Sequence, residues 1–363
     1  MQNHARPRIL VQTGSYELDN LGDQSMIRTA VERVHERLPD AQFSIISRRS
    51  EFLNDLDANV VNVPVENRGE WKWVRSAYLA LRRTFPRADP FIRSVFPSIF
   101  ERLLRLKAQR LVNHAVLEET DFLLLTGGGY FTDVFPGQAW SALERIRAES
   151  SLDIPFAIVG HGLGPFHDRA LLDATAELLP TATMIGLRER PESVAVLRQI
   201  GVSPERVIVT GDDCVEQAWR ARRDAFGEAL GFNLRIAPYA GTSENDILRL
   251  RDALRDFVAR AEANVVSLPI CISDSVESAS DTGVADRLIS QITDRFVGSP
   301  TPRSASEVIA LISQCRAIVS GSYHAAVFAL SQGIPAVCIE GSEYYRMKFA
   351  GLIDHFGPGC RMI

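Results

Sequence analysis

The sequence predicts an α/β protein built from two doubly wound domains, and three observations point there. Its 363 residues exceed what one hydrophobic core usually organises. Short apolar runs alternate with helical patterns along most of the chain. Several of those runs are continuously apolar rather than alternating, as expected of parallel strands covered on both faces.

In the first half, strands are expected at Ile9–Gln12, Phe43–Ser47, Phe122–Thr126, Phe156–Gly160, Met184–Leu187 and Val207–Thr210. In the second half they are expected at Leu234–Ala237, Val265–Leu268, Ala317–Ser320 and Ala336–Ile339. The clearest helical patterns are Gln24–Leu38, Glu244–Ala263, Ser304–Cys315 and His324–Gln332, and Ser304 with Glu307 forms a capping-box pair. The charged stretch Val215–Gly231 reads as a helical connector without a strand. The division therefore falls near residue 228, giving domains 1–228 and 229–363. The last residues, Gly359 to Ile363, show no closing helix, a pattern compatible with a chain cut short.

Composition narrows the partners. With 46% hydrophobic and 23% charged residues and a net charge of −5, the chain is globular and no nucleic-acid partner is expected. The first apolar run, Ile9–Val11, is too short for a secretory signal, and no window approaches the roughly 20 apolar residues of a membrane span. A cytoplasmic location is expected. Cys214, Cys271, Cys315, Cys338 and Cys360 are odd in number and scattered, so they read as reduced packing residues. The seven histidines show no HxH or HExxH spacing, and no protein-ligated metal is expected.

One segment differs. Residues 68–110 carry eleven Lys or Arg against three acidic residues, interleaved with Trp71, Trp73, Tyr78, Phe85, Phe91, Phe96 and Phe100. This reads either as a helical insertion with aromatics inward and arginines in water, or as a peripheral contact with a membrane or a lipid-linked anionic substrate.

Three glycine-rich stretches follow apolar runs: Asn20-Leu21-Gly22-Asp23, Gly127-Gly128-Gly129 and Gly160-His161-Gly162-Leu163-Gly164-Pro165. Each is read as a turn leading into a helix, where unpaired N–H groups and the helix dipole favour an anion. None completes the dinucleotide fingerprint or a Walker loop, and no Gly-x-Ser-x-Gly elbow supplies a hydrolase nucleophile.

Taken in order, the motifs resemble those of the polysaccharide pyruvyl transferases, which form ketals on sugars using phosphoenolpyruvate. NLGD at Asn20–Asp23, LLTGGGYFTD at Leu124–Asp133, GHGLGP, GLRERPESVAVLRQIG at Gly186–Gly201, VTGDD at Val209–Asp213, GFNLR at Gly231–Arg235 and SGSYHAAVFALSQGIP from Ser320 each resemble a family block. They span nearly the whole chain. The resemblance implies a glycosyltransferase-B-like architecture, two Rossmann-like domains facing across a cleft, with phosphoenolpyruvate as co-substrate, no other cofactor and a saccharide acceptor. Where the family usually has an arginine two residues before its histidine, this chain has Ser322.

Ketal transfer needs a proton for the methylene carbon, cations for a multiply charged donor and a base for the acceptor hydroxyls. A histidine suits the first task. His324, at a strand end and helix start, is the expected proton donor, and Asp23 the second catalytic group. Arg235, Lys348, Ser322 and Tyr323 are expected on the donor, the two cations because such groups bind carboxylate or phosphate. Asn20, Gly127, Gly128, Gly129, His161 and Arg188 are expected on the acceptor side. Two other readings remain open at this level: a glycosyltransferase using a nucleotide sugar, and a repurposed, non-catalytic relative.

Overall fold

A computed structural model of the chain describes residues 6–48, 52, 53, 56, 59–65, 114–235, 238–272, 281, 289–298 and 300–363. The basic, aromatic segment expected at 68–110 lies outside the described residues.

Two parallel sheets form the frame. The first holds β1 (Arg8–Gln12), β2 (Gln42–Ser47), β3 (Asn59–Pro64), β4 (Phe122–Leu125), β5 (Gly128–Phe131), β6 (Phe156–Leu163), β7 (Met184–Leu187) and β8 (Val207–Val209). Its order is β3-β2-β1-β4-β6-β7-β8, with β5 alongside β6. The second holds β9 (Ala229–Asn233), β10 (Val265–Ser267), β11 (Cys315–Ser320), β12 (Ala336–Cys338) and β13 (Cys360–Met362), in the order β10-β9-β11-β12-β13. In each sheet the order reverses beside its first strand. Such a switch point opens a crevice beyond the carboxyl ends of the strands.

The connecting helices are α1 (Leu21–Arg37), α2 (His114–Leu117), α3 (Pro136–Ser150), α4 (Arg169–Leu178), α5 (Pro191–Gln199), α6 (Cys214–Arg220), α7 (Glu244–Ala261), α8 (Ala305–Ile312), α9 (Tyr323–Ser331) and α10 (Glu343–Phe356). None among the described residues is long and apolar enough to cross a membrane. Helix α9 is buried at all nine positions, consistent with its lack of a polar stripe. One continuous core joins Leu21 and Met26 of α1 and Cys214 and Ala218 of α6 to the residues under the second sheet. The two halves therefore share apolar packing. All five cysteines are buried, and the sulfurs of Cys338 and Cys360 lie 3.8 Å apart on neighbouring strands.

Several boundaries differ from the sequence reading. The strand expected at Leu234–Ala237 lies five residues earlier, at β9. Gly231 weakens that run as a strand signal, yet it is required there. A Cβ on Gly231 would sit 2.4 Å from Leu268 Cδ1 and 3.0 Å from Cys315 Sγ. The charged stretch Val215–Gly231 is accordingly not a strandless connector, since α6 ends at Arg220 and β9 begins at Ala229. Asn20-Leu21-Gly22-Asp23 is not a loop ahead of the helix. Asn20 is the cap of α1, its side-chain oxygen accepting from the N–H groups of Gly22 and Asp23 at 2.9 and 3.3 Å. The triple glycine leads into β5 rather than a helix, and His161 and Gly162 lie within β6. Past α10, which runs to Phe356, β13 pairs in parallel with β12.

Candidate functional site

The loops leaving β7, β8 and β11 converge with the N-terminal turn of α1 and with α10. Arg188 follows β7, Asp212 follows β8, Ser322 immediately precedes α9, and Lys348 lies one turn into α10. Gly22 lets α1 press against α9, because a Cβ there would lie 2.0 Å from His324 Cγ. The first domain thus contributes Asp23, Arg188 and Asp212, and the second Tyr323, His324, Tyr344 and Lys348.

Arg188 is 1% exposed. Its Nε donates to Glu189 Oε2 at 2.7 Å, and its guanidinium lies 4.4 Å above the ring of Tyr323. Nη1 lies 3.6 Å from Asp212 Oδ2, beyond hydrogen-bond distance, and neither Nη1 nor Nη2 has a hydrogen-bond partner. Lys348 donates to Tyr344 Oη at 3.1 Å and stands 4.6 Å from the ring of Tyr323. Tyr323 is therefore a shared aromatic support for two cations. Tyr344 in turn donates to Gly129 O at 3.0 Å, tying α10 to the triple-glycine stretch. A Cβ on Gly129 would fall 2.5 Å from Tyr344 Oη and 2.8 Å from Arg188 Nη2.

His324 is 5% exposed, its Nε2 has no hydrogen-bond partner, and it lies 4.0 Å from Asp212 Oδ2. Burial pushes its pKa down to about 3; Asp212 opposes that shift, and Lys348 and Arg188 add to it. Burial likewise brings Lys348 down to about 7, with Arg188 contributing, and raises Asp23 to about 7. For Arg188 burial opposes the charge, but the Glu189 carboxylate, Tyr323 and Asp212 outweigh it and raise its pKa.

The other expected site residues are placed differently. Arg235 follows β9 but bonds to Asp281 Oδ1 at 2.6 Å and to the Tyr239 hydroxyl, so its fork is already engaged. Tyr239, stacked on Tyr345 with centroids 6.3 Å apart, stands beside it. His161 is fully buried, its Nε2 2.8 Å from Thr126 O and its ring edge-on to Tyr130. Burial holds it neutral, with a pKa of about 3. Gly127 packs on Met26, and Gly128 has a φ of +154°. Ser322 makes no side-chain cap; its N–H donates to Ser320 Oγ at 3.0 Å.

Three participants were not singled out from the sequence: Asp212, Glu189 and Tyr344. Asp212 stands in the quoted VTGDD block, and the signal for it was the doubled aspartate after a glycine. Asp212, Cys214 and His324 each place one candidate ligand atom within 4.8 Å of the others. We assign no metal to them, because the Arg188 guanidinium already faces the same carboxylate oxygen and would repel a dication. The arrangement is suited to an anion.

A family model, polysaccharide pyruvyl transferase, matches residues 20–343. The chain belongs to that family. It is also 22% identical over 371 residues to the amylovoran biosynthesis protein AmsJ of Erwinia amylovora, covering 96% of this chain and 86% of that one. Among solved structures, the UDP-GlcNAc 2-epimerase of Methanocaldococcus jannaschii superposes with a TM-score of 0.56 at 11% identity, covering 98% of this chain and 88% of that one. The UDP-GlcNAc 2-epimerase of Neisseria meningitidis gives 0.54 at 13%, covering 98% and 86%, and a glycosyltransferase from Rickettsia africae gives 0.54 at 11%, covering 99% and 84%. These likenesses show the fold, which is glycosyltransferase-B-like. The family makes the chain a transferase acting on a saccharide.

Proposed function

We propose that the protein transfers a pyruvyl group from phosphoenolpyruvate to two hydroxyls of a sugar in an exopolysaccharide or its precursor. The observation that carries this reading is the buried Arg188 guanidinium, whose Nη1 and Nη2 have no hydrogen-bond partner. Leaving a buried donor unpaired costs about 1–3 kcal/mol or more, so these groups have a use beyond folding. With Lys348 beside them they match an anion carrying both carboxylate and phosphate.

Arg188 then moves from the acceptor side to the donor side. Delivered by the first domain onto Tyr323, it supplies a cation next to the position where the family arginine gives way to Ser322. Arg235, held by Asp281, is left out of this role. In the reaction, protonated His324 gives its proton to the methylene carbon, whose π pair forms the new C–H bond and leaves C2 electron-poor. One acceptor hydroxyl adds to C2, the C2–O bond to phosphate breaks, and the second hydroxyl closes the ketal. Two hydroxyl protons are released; one restores His324 and the other leaves with phosphate. Asp23, titrating near neutrality, suits the base that first receives a hydroxyl proton.

The test is phosphate release from phosphoenolpyruvate across a panel of glycan, nucleotide-linked and lipid-linked sugars, with wild type and His324→Ala. Acceptor-dependent release that the variant lacks is expected. No release with any acceptor, or full activity in the variant, contradicts the reading.

A further inference from the structure

The residue the sequence reading passed over, Asp212, stands between the two groups on which the proposed reaction depends. Its Oδ1 accepts the N–H of Cys214 at 2.9 Å, which fixes the carboxylate to the first turn of α6. Its Oδ2, buried and without a hydrogen-bond partner, faces Arg188 Nη1 at 3.6 Å and His324 Nε2 at 4.0 Å. One oxygen thus faces both groups and hydrogen-bonds to neither.

We propose that Asp212 is the positioning residue of the proton donor: when an anion engages the Arg188 guanidinium, the Asp212 carboxylate bonds to His324 Nε2 instead and holds the ring as imidazolium, leaving the Nδ1 proton for the methylene carbon. The inference rests on the pyruvyl-transfer reading above and adds a role for Asp212.

Electrostatics supports this exchange. Around His324 stand Asp212 from the loop after β8, Arg188 from the loop after β7, Lys348 on α10, Asp23 on α1, Cys214 on α6 and Tyr323 on its own helix. Of these, Asp212 favours the imidazolium, while Lys348 and Arg188 oppose it. Burial opposes the imidazolium most, and a bound anion offsets both opposing cations at once, leaving the Asp212 attraction and the anion's own charge to act against burial. Donor binding itself would then charge the acid. The arrangement also keeps a proton off His324 until there is something to protonate.

The experiment follows the His324 ring by NMR over a pH series, with and without saturating phosphoenolpyruvate, in wild type, Asp212→Asn and Asp213→Asn. Asparagine keeps an oxygen for the Cys214 N–H, so that bond at the start of α6 is retained. Asp213 lies next in sequence but faces Arg33, at 3.2 Å, rather than His324. Phosphoenolpyruvate is expected to move the His324 midpoint into the neutral range in wild type and Asp213→Asn, and to leave it acidic in Asp212→Asn. Turnover by Asp212→Asn is expected to fall on the order of 10²-fold, with its acid limb displaced and the KM for phosphoenolpyruvate little changed. Equal midpoints in wild type and Asp212→Asn with the ligand bound overturn the inference alone, as does an equal effect of Asp213→Asn. No phosphoenolpyruvate binding by wild type overturns both the inference and the reading beneath it.

Discussion

At the residue scale, the site is a set of charges held out of water at a cost to folding. Lys348 shows the sign of that cost. Its pKa falls from 10.5 to about 7, mainly through burial. Between those values the unfolded chain binds a proton that the folded chain does not. The penalty is therefore full below pH 7 and fades as pH rises towards 10.5. Lys348→Met should accordingly stabilise the protein at pH 6.5, on the order of 1–4 kcal/mol, and by much less at pH 9.5. Urea unfolding of both proteins at the two pH values measures this, and a gain that did not shrink with pH would contradict it. The same variant should lose affinity for phosphoenolpyruvate. His324 was legible as a candidate mainly through the family resemblance, supported by its place between a small-residue turn and an apolar helix. Asp212 was not, since an aspartate after a glycine is equally a turn residue, and only the approach of α9 brings His324 to the oxygen that Arg188 already faces.

At the element scale, α1 carries a prediction that separates two uses of one motif. Asn20 was expected on the acceptor, and the structure gives it a complete local role as the cap of α1. Asn20→Ala should cost about 1 kcal/mol of stability while leaving the KM for the acceptor near wild type. Urea midpoints and acceptor titrations check this, and a large KM increase at unchanged stability would restore the acceptor role. Gly22, two residues on, behaves differently. Alanine favours a helix interior by up to about 1 kcal/mol, but here its Cβ meets the His324 ring. Gly22→Ala should abolish turnover without the gain in stability that helix propensity alone would give, and thermal unfolding beside turnover measures both. Most strands were legible because parallel strands bury both faces as continuous apolar runs. Where a close approach demanded glycine, as at Gly231, the run was broken and the strand was assigned too late. The glycines of β5 and β6 misled in the opposite direction, since residues that look like turns here serve to bring strands and side chains close together.

At the scale of the whole molecule, two α/β halves were readable from length and alternation, and their facing arrangement from the family resemblance. Which side chains meet across the boundary was not, because that depends on the approach of the two sheets. Arg188 and Lys348 support the same aromatic ring, yet they are 160 residues apart in sequence. At 1%, 5% and 8% exposure, Arg188, His324 and Lys348 are too enclosed for a sugar to reach them without the domains parting. Labels placed on α4 and α7 should therefore report a wider separation without substrates than with phosphoenolpyruvate and acceptor together, read as single-molecule energy transfer. A distance unchanged by both substrates would contradict closure around the donor.

The most direct test of the central claim, that these buried cations seat phosphoenolpyruvate, is calorimetric titration of the ligand at pH 7 in buffers of different ionisation enthalpy. His324, near 3, and Lys348, near 7, are largely or partly neutral at that pH, and an anion raises both. The account predicts saturable binding with uptake of about one proton or more, weakened strongly in Lys348→Met. A protein that bound a nucleoside diphosphate but not phosphoenolpyruvate, or that bound phosphoenolpyruvate with no proton uptake, would contradict it.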